Sequence, residues 1–388
     1  VLEDPNATTA DLLSAADAAF TSGQAAETIA LYGRVLERDP VHALALRRLA
    51  WIEEASGRVT QAIQLLCRLI AASPTDARAH QDLGLCLLRV QNLNDAIESF
   101  RRTTKLDPTY AVGFCNLGLA LEDAGDVAGA LAALRRAHEL DPGSGFIAYH
   151  LAAIQTLAGK SETPPPICPP RYLLQLFDGY ADRFDAHLFE QLHYQGPALL
   201  AEIVSRTEAG KPRQPWDILD IGCGTGMTAV PFREGARRVV GVDLSSRMLR
   251  HASTRTMPDG TRVYDELVQA DLIDALQARP ASADLVLSAD VFIYIGNLRP
   301  VFAAVWGALR ENGMFAFTVE SYDGPQDYCL LPSRRYAHSQ QYIAQLAGEF
   351  GFTWNARNEC VLRKGDDGLP LKGDVYLLSR MEARPSSA

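Results

Sequence analysis

The sequence predicts an α/β chain in two parts, an all-α solenoid followed by a doubly wound sheet. Two patterns define the parts. Pro40, Pro74, Pro108 and Pro142 recur every 34 residues, a period that marks stacked helix-turn-helix units. Further on, Ile218-Leu219-Asp220-Ile221-Gly222-Cys223-Gly224-Thr225-Gly226 carries an apolar strand into a glycine-rich turn. Four more apolar runs follow, at separations that suit strands alternating with helices.

The helical repeats come first. Asp39, Asp107 and Asp141 precede three of the prolines, and Leu49, Leu83, Leu117 and Leu151 keep the same period. So do the small residues Ala50, Gly84, Gly118 and Ala152, where paired helices must approach closely. Ala62, Ala96 and Ala130 repeat likewise, each followed four residues later by Leu66, Phe100 or Leu134. Gly23, Gly57, Gly125 and Gly159 break the turns. The pattern resembles the tetratricopeptide repeat (TPR) family over about residues 8 to 160, with a degenerate first unit, three good ones and a final capping helix. No pair of helices in such a stack hides its apolar face alone, so neighbours pack and leave a concave surface. That surface is expected either to bind a partner or substrate or to scaffold the chain and support self-association. Arg47, Trp51, Gln81 and Arg89 are its inner-face candidates; a clamp for chaperone C-termini is not expected, because the inner helices lack the necessary run of Lys, Arg and Asn.

Residues 161–170, Ser-Glu-Thr-Pro-Pro-Pro-Ile-Cys-Pro-Pro, hold five prolines and predict a short semi-rigid spacer. Apolar and aromatic residues at helical spacing from Tyr172 to Asp185 then predict a helix before the first strand.

The glycine turn implies a nucleotide-like ligand, since glycines let the backbone approach it and a following helix offers free N–H groups. A dinucleotide fingerprint would need its third glycine one position later, where Met227 stands, which disfavours NAD. The order Asp220 to Gly226 instead resembles the first motif of the class I S-adenosylmethionine (SAM) methyltransferases, which have a Rossmann-like sheet. The remaining strands agree with it. Arg238–Asp243 ends in a carboxylate placed to bind ribose hydroxyls. Leu267–Leu272 and Ala283–Asp290 are the third and fourth, and Asn312 and Gly313 form a turn into the fifth, which ends at Glu320; the resemblance adds a final antiparallel strand near 374–380. The resemblance implies SAM contacts at Asp220, Gly222, Cys223, Gly224 and Gly226 in the turn, and at Asp243, Leu244 and Met248 after the second strand. It further implies Asp271 and Leu272 near the adenine, Ser288 at the reaction pocket, and Tyr180 and Arg183 in a lid over the amino-acid moiety.

Methyl transfer needs nucleophile, methyl and sulfur in line, so much of the catalysis can come from positioning, and no metal is called for. A hydroxyl or ammonium acceptor must also lose a proton. His338, in the polar loop before the helix at 340–349, is the preferred base, with Glu320 and Tyr294 as further catalytic candidates; Ser339 beside it can cap that helix. Asp290, Phe292, Tyr322 and Tyr336 stand where substrate residues are expected, and His193 and Tyr194 are placed in a helix before the first strand. The stretch from Phe177-Asp-Gly-Tyr180-Ala-Asp-Arg183-Phe184-Asp185 to Arg335-Tyr336-Ala337-His338-Ser339 resembles bacterial class I methyltransferases with N-terminal TPRs, departing at Arg334, where that group would have a glycine.

Composition sets the outer bounds. The net charge of −10 is spread evenly, with 14 basic and 19 acidic residues up to residue 160 and 23 and 28 after it, so nucleic acid is not an expected partner. Seven scattered cysteines without a C-x-x-C pair suit a reducing cytoplasm and give no zinc motif. No signal core or membrane-length apolar run is present in the sequence, so secretion and membrane insertion are not expected. The expected organisation is a repeat domain at 1–160, the linker at 161–170 and a methyltransferase domain at 171–388. The expected activity is methyl transfer from SAM to O, N or S of a small metabolite or a peptide- or carrier-borne group; the rival is a non-catalytic TPR adaptor with a SAM-sensing domain.

Overall fold

The computed structural model describes residues 7–159, 164–209, 215–365 and 368–380. The chain divides into two compact units between Lys160 and Ser161.

In the first unit the described helices are α1 (Thr9–Thr21), α2 (Ala25–Arg38), α3 (Ala43–Ala55), α4 (Val59–Ala72), α5 (Ala77–Arg89), α6 (Leu93–Leu106), α7 (Ala111–Asp123), α8 (Val127–Leu140) and α9 (Gly145–Leu157). They pair as α1/α2, α3/α4, α5/α6 and α7/α8, and α9 closes the row. Side chains cap several of them: Thr8 and Asp11 form a capping box at α1, and Asp76 and Ser144 accept from the first turns of α5 and α9. The repeating small residues are where helices touch, because a Cβ on Gly84 would stand 2.5 Å from the Phe100 ring and one on Gly118 2.7 Å from Leu134. The turn glycines Gly23, Gly57, Gly125 and Gly159 all have positive φ. Gln91 occupies the same place in its repeat and takes the same left-handed conformation, with φ 60°. Of the inner-face candidates, Arg47 pairs with Asp76 and Arg89 with Glu54; Gln81 is buried, and Trp51, exposed, packs edge-to-face on Phe20.

The second unit opens with α10 (Pro170–Tyr180), a 3₁₀ turn (Ala181–Arg183), a π-helical stretch (Ala186–Gln191) and α11 (Gly196–Thr207). The single helix expected to Asp185 is therefore broken after Tyr180. His193, at φ 54°, and Tyr194 lie between helices rather than in one.

A sheet follows. Strands β1 (Trp216–Ile221), β2 (Ala236–Asp243), β3 (Glu266–Gln269), β4 (Ala283–Ser288) and β5 (Leu309–Ser321) run parallel in the order 3-2-1-4-5. Helices α12 (Ser246–Thr254), α13 (Leu272–Gln277) and α14 (Arg299–Ala308) join them. The short β6 (Tyr328–Leu330) and β7 (Tyr336–His338) precede α15 (Gln340–Phe350), which Ser339 caps, and β8 (Phe352–Lys364) and β9 (Pro370–Arg380) complete the sheet. β9 runs antiparallel to both β5 and β8. Strand alternation builds two cores: Leu219, Phe315, Phe317 and Leu378 face α13, α14 and α15, while Ile218, Met314, Ala316 and Leu377 face α11 and α12.

One expectation fails here for a physical reason. No α-helix follows the glycine turn; Pro231 and Gly235 leave only a 3₁₀ segment, Val230–Gly235, before β2. The described part of the proline-rich stretch is fixed by hydrogen bonds to residues 294–297 and to Tyr336. Pro166 O accepts from Gly296 N (2.9 Å) and Asn297 N (2.8 Å), Cys168 N donates to Tyr294 O (2.9 Å), and the Tyr336 hydroxyl donates to Pro165 O (2.7 Å). Residues 161–163 lie outside the described residues. No described helix is long and apolar enough to cross a membrane.

Candidate functional site

The strand order reverses between β1 and β4, and ligands of open parallel sheets sit at the carboxyl ends of strands at such a point. A cavity of about 540 Å³ lies there, lined by the turn after β1, the end of β2, residues 289–291 after β4, and α10.

Its floor is built from backbone. Gly222 N and Cys223 N both donate to Val242 O, at 2.8 and 2.9 Å, which ties the turn to β2. Gly222 has φ 72°, and a Cβ there would stand 2.3 Å from Val291, so only glycine fits. A Cβ on Gly224 would meet nothing within 4 Å, which leaves its backbone bare toward the cavity. The Asp243 carboxylate ends β2 beside it, accepting Gly224 N at 2.9 Å and Ser245 N at 2.8 Å. Burial holds the Asp243 carboxyl above its ordinary value, and these backbone N–H groups offset only part of that rise.

Three carboxylates fasten the segment over this floor. Asp178 accepts from Ser245 Oγ at 2.6 Å. Asp182 pairs with Arg247 (2.8 Å) and His251 (3.1 Å), and Asp185 pairs with Arg255 and takes the Thr225 hydroxyl. Their spacing of four and three residues places them on one side of a helical path, a signal present in the sequence that the prediction did not use. Tyr180 bonds His187, its ring lies 5.3 Å from that of Phe184, and the exposed Arg183 guanidinium lies 5.9 Å from the Tyr180 ring centre.

Of the residues expected to hold SAM, the cavity gathers Tyr180, Arg183, Gly222, Cys223, Gly224, Asp243, Leu244, Met248, Asp271 and Leu272. Asp271 also caps α13. Three others stand behind the wall. Asp220 is fully buried and accepts the Tyr264 hydroxyl at 2.6 Å, so its carboxylate braces the end of β1. Gly226, at φ 92°, makes room for the Tyr264 ring, which a Cβ would approach to 2.7 Å. Ser288 is buried inside β4.

The expected catalytic groups separate in the same way. Tyr294 lines the cavity, packed edge-to-face on Phe177 at 5.4 Å, and burial pushes its phenol up, so it keeps its proton. His338 does not line the cavity. It is fully buried in β7, where Nε2 donates to the carbonyls of Ile295 (2.9 Å) and Gly296 (3.1 Å). Burial pushes the imidazole down to about 4, against the raising effect of those bonds. An imidazole bound in this way pins the 294–297 turn and has no path to an acceptor's proton, which corrects its assignment as base. Glu320 is also withdrawn, because it lies buried behind the wall and accepts from Arg363 Nη2 at 3.0 Å. Burial pushes its carboxyl up, and Arg363 pulls it down.

Arg363 is a charged cavity residue that sequence reasoning missed. It is 3% exposed, lines the cavity from β8, and binds both Asp290 and Glu320. Its only signal was a charged residue beside Leu362 near the end of an alternating strand. Asp290 takes φ 59° after β4, and its N–H donates to the Thr318 hydroxyl at 2.9 Å. Arg334 adopts φ 60°, which accounts for the glycine expected at that position.

Residues 219–317 match the family model of methyltransferase domains, and residues 13–77 and 82–145 match that of the tetratricopeptide repeat. The chain is similar to the probable S-adenosylmethionine-dependent methyltransferase CRG1 of Saccharomyces cerevisiae, 32% identical over 40% of this chain and 55% of that protein. It is also similar to the ubiquinone biosynthesis O-methyltransferase of Agrobacterium fabrum, 30% identical over 34% of this chain and 55% of that protein. The crystal structure of magnesium protoporphyrin IX methyltransferase from Synechocystis PCC 6803 with bound SAM aligns at a TM-score of 0.36 and 17% identity, over 47% of this chain and 79% of that one. The chain spans about half the length of the curated relatives it matches.

Proposed function

We propose that this chain, which carries tetratricopeptide repeats followed by a methyltransferase domain, moves a methyl group from SAM to an oxygen, nitrogen or sulfur atom of a small metabolite or a peptide- or carrier-borne group. The observation that carries the reading is the pairing of an acceptor with an open backbone: the Asp243 carboxylate lies at the cavity beside Gly224, where a Cβ would touch nothing. That carboxylate suits two ribose hydroxyls, and Leu244, Asp271 and Leu272 suit an adenine edge and face. The donor supplies the methyl as the new bond to the acceptor forms and the carbon–sulfur bond breaks, with its electron pair left on sulfur in S-adenosylhomocysteine.

The chain's own residues position and seal. The Gly222–Gly224 turn accommodates the amino-acid end, Tyr180 and Phe184 on the fastened lid exclude water, and Asp290 and Tyr294 face the acceptor. Trp51 and Leu85 are exposed one repeat apart, which supports a recruiting role for the repeats toward a protein or carrier. The free cysteines suit the cytoplasm.

Calorimetry with SAM, S-adenosylhomocysteine and NAD tests the reading. Binding of the first two without the third is expected. Binding of NAD alone overturns it.

A further inference from the structure

Three guanidiniums line the cavity; Arg183 is exposed and lies over the Tyr180 ring, and the other two differ in what they face. Arg363 is saturated with charge, bound by Asp290 and by Glu320. Arg335, just before β7, makes no side-chain ion pair or hydrogen bond with any described residue, although it is half-buried in the cavity wall. Its field reaches the carboxyl of Glu320 and the phenols of Tyr172 and Tyr294, which places its charge at the Tyr294 end of the cavity. Glu320, the carboxylate among these, is already taken by Arg363. Around Arg335 the wall is apolar: Phe177 packs on Tyr294, and Leu173 lies one helical turn before Phe177 on α10. A cation without a counter-ion, set in an apolar wall, is a recognition element for an anion with an apolar body.

From this we infer that the methyl acceptor carries a carboxylate, bound by Arg335, on an apolar or aromatic body that lies against Phe177, Leu173 and Tyr294. The inference rests on the methyltransferase reading and names the class of acceptor for it. A carboxylate fits better than a phosphate, because one planar guanidinium matches a single carboxylate in a bidentate pair, whereas a phosphate dianion calls for a second cation, and Arg363 is held by Asp290 and Glu320 while Arg183 lies over the Tyr180 ring in the lid. Asp290 keeps one carboxylate oxygen, Oδ1, without a described partner, which leaves an acceptor for a hydroxyl or amine elsewhere on the same molecule.

The test uses the full chain saturated with S-adenosylhomocysteine, titrated calorimetrically with 2-naphthoate and with its uncharged isostere 2-naphthamide. Naphthoate is expected to bind about tenfold or more tightly than naphthamide, with Arg335→Gln erasing the difference and Arg335→Lys keeping part of it. Melting temperature and S-adenosylhomocysteine affinity of the variants report folding and the donor site, and both should stay near wild type. Wild type that prefers neither probe, or a preference that survives Arg335→Gln, overturns the inference. So does loss of S-adenosylhomocysteine affinity in Arg335→Gln, which would assign the guanidinium to the donor's own carboxylate. If wild type fails to bind S-adenosylhomocysteine at all, the methyltransferase reading itself falls; if it binds and only the naphthoate preference is missing, that reading stands.

Discussion

The Tyr264 hydroxyl donates to the Asp220 carboxylate at 2.6 Å, and neither residue reaches the cavity. The first acid of the glycine motif thus acts through the wall. Burial pushes Asp220 up to about 7; the Tyr264 bond opposes this and the Asp243 charge adds to it. Because the folded value exceeds the unfolded one, this group's contribution to stability is full below about pH 4 and is lost as pH rises through about 7. Asp220→Asn should therefore gain stability relative to wild type across that window, by at most roughly 1.4 kcal/mol per pH unit. Urea denaturation from pH 4 to 8 measures it, and parallel curves for the two proteins would remove Asp220 as the titrating group.

Asp243 holds two backbone N–H groups, so its removal has two effects that can be told apart. Asp243→Ala should weaken S-adenosylhomocysteine binding by roughly 1 to 3 kcal/mol through unsatisfied sugar hydroxyls. Calorimetry on the folded variant reads this directly. A lower melting temperature with unchanged affinity would leave Asp243 as a brace for the turn alone.

The residues that were legible in advance are those whose role follows from a local rule. Gly222 and Gly224 are required by the backbone, Asp243 by its place at a strand end, and Gly84 and Gly118 by a period of 34 residues. Arg363 was not legible, because its partners lie 73 and 43 residues away and a charged residue near the end of a strand usually faces solvent. His338 misled for the same reason. Its residue type suits proton transfer, but only the packing of β7 on the 294–297 turn shows that the ring is buried. The helix expected after the glycine turn came from treating the motif as decisive, when Pro231 and Gly235 were enough to stop it.

The position of His338 makes a prediction opposite to that for a base. His338→Ala should cost roughly 1 to 3 kcal/mol of stability, since two carbonyls lose a buried donor, and should leave S-adenosylhomocysteine affinity near wild type. The wild-type ring stays neutral until about pH 4, below the unfolded histidine value of 6.5. Its contribution is thus complete above pH 6.5 and is lost as pH falls toward 4. Denaturation between pH 4 and 7 should show that acid-side loss in wild type and a shallower one in the variant. A variant with wild-type stability and abolished methyl transfer would restore the catalytic assignment.

The repeats allow a paired test of backbone and packing. Gln91 sits at φ 60° where the other repeats place Gly23, Gly57, Gly125 and Gly159 at positive φ, so its side chain holds a conformation that costs roughly 1 kcal/mol relative to glycine. The greater freedom of glycine in the unfolded chain offsets part of that, and Gln91→Gly should stabilise by a few tenths to about 1 kcal/mol. Gly84→Ala should do the reverse. Alanine improves helix propensity by about 1 kcal/mol, but its Cβ would stand 2.5 Å from the fully buried Phe100 ring, and forced repacking of this kind costs roughly 1 to 3 kcal/mol. Hydrogen exchange across α5 and α6 in both variants separates the two effects: faster exchange is expected for Gly84→Ala and equal or slower exchange for Gln91→Gly. If Gly84→Ala were protected instead, the close approach of α5 to α6 would not be what makes glycine necessary there.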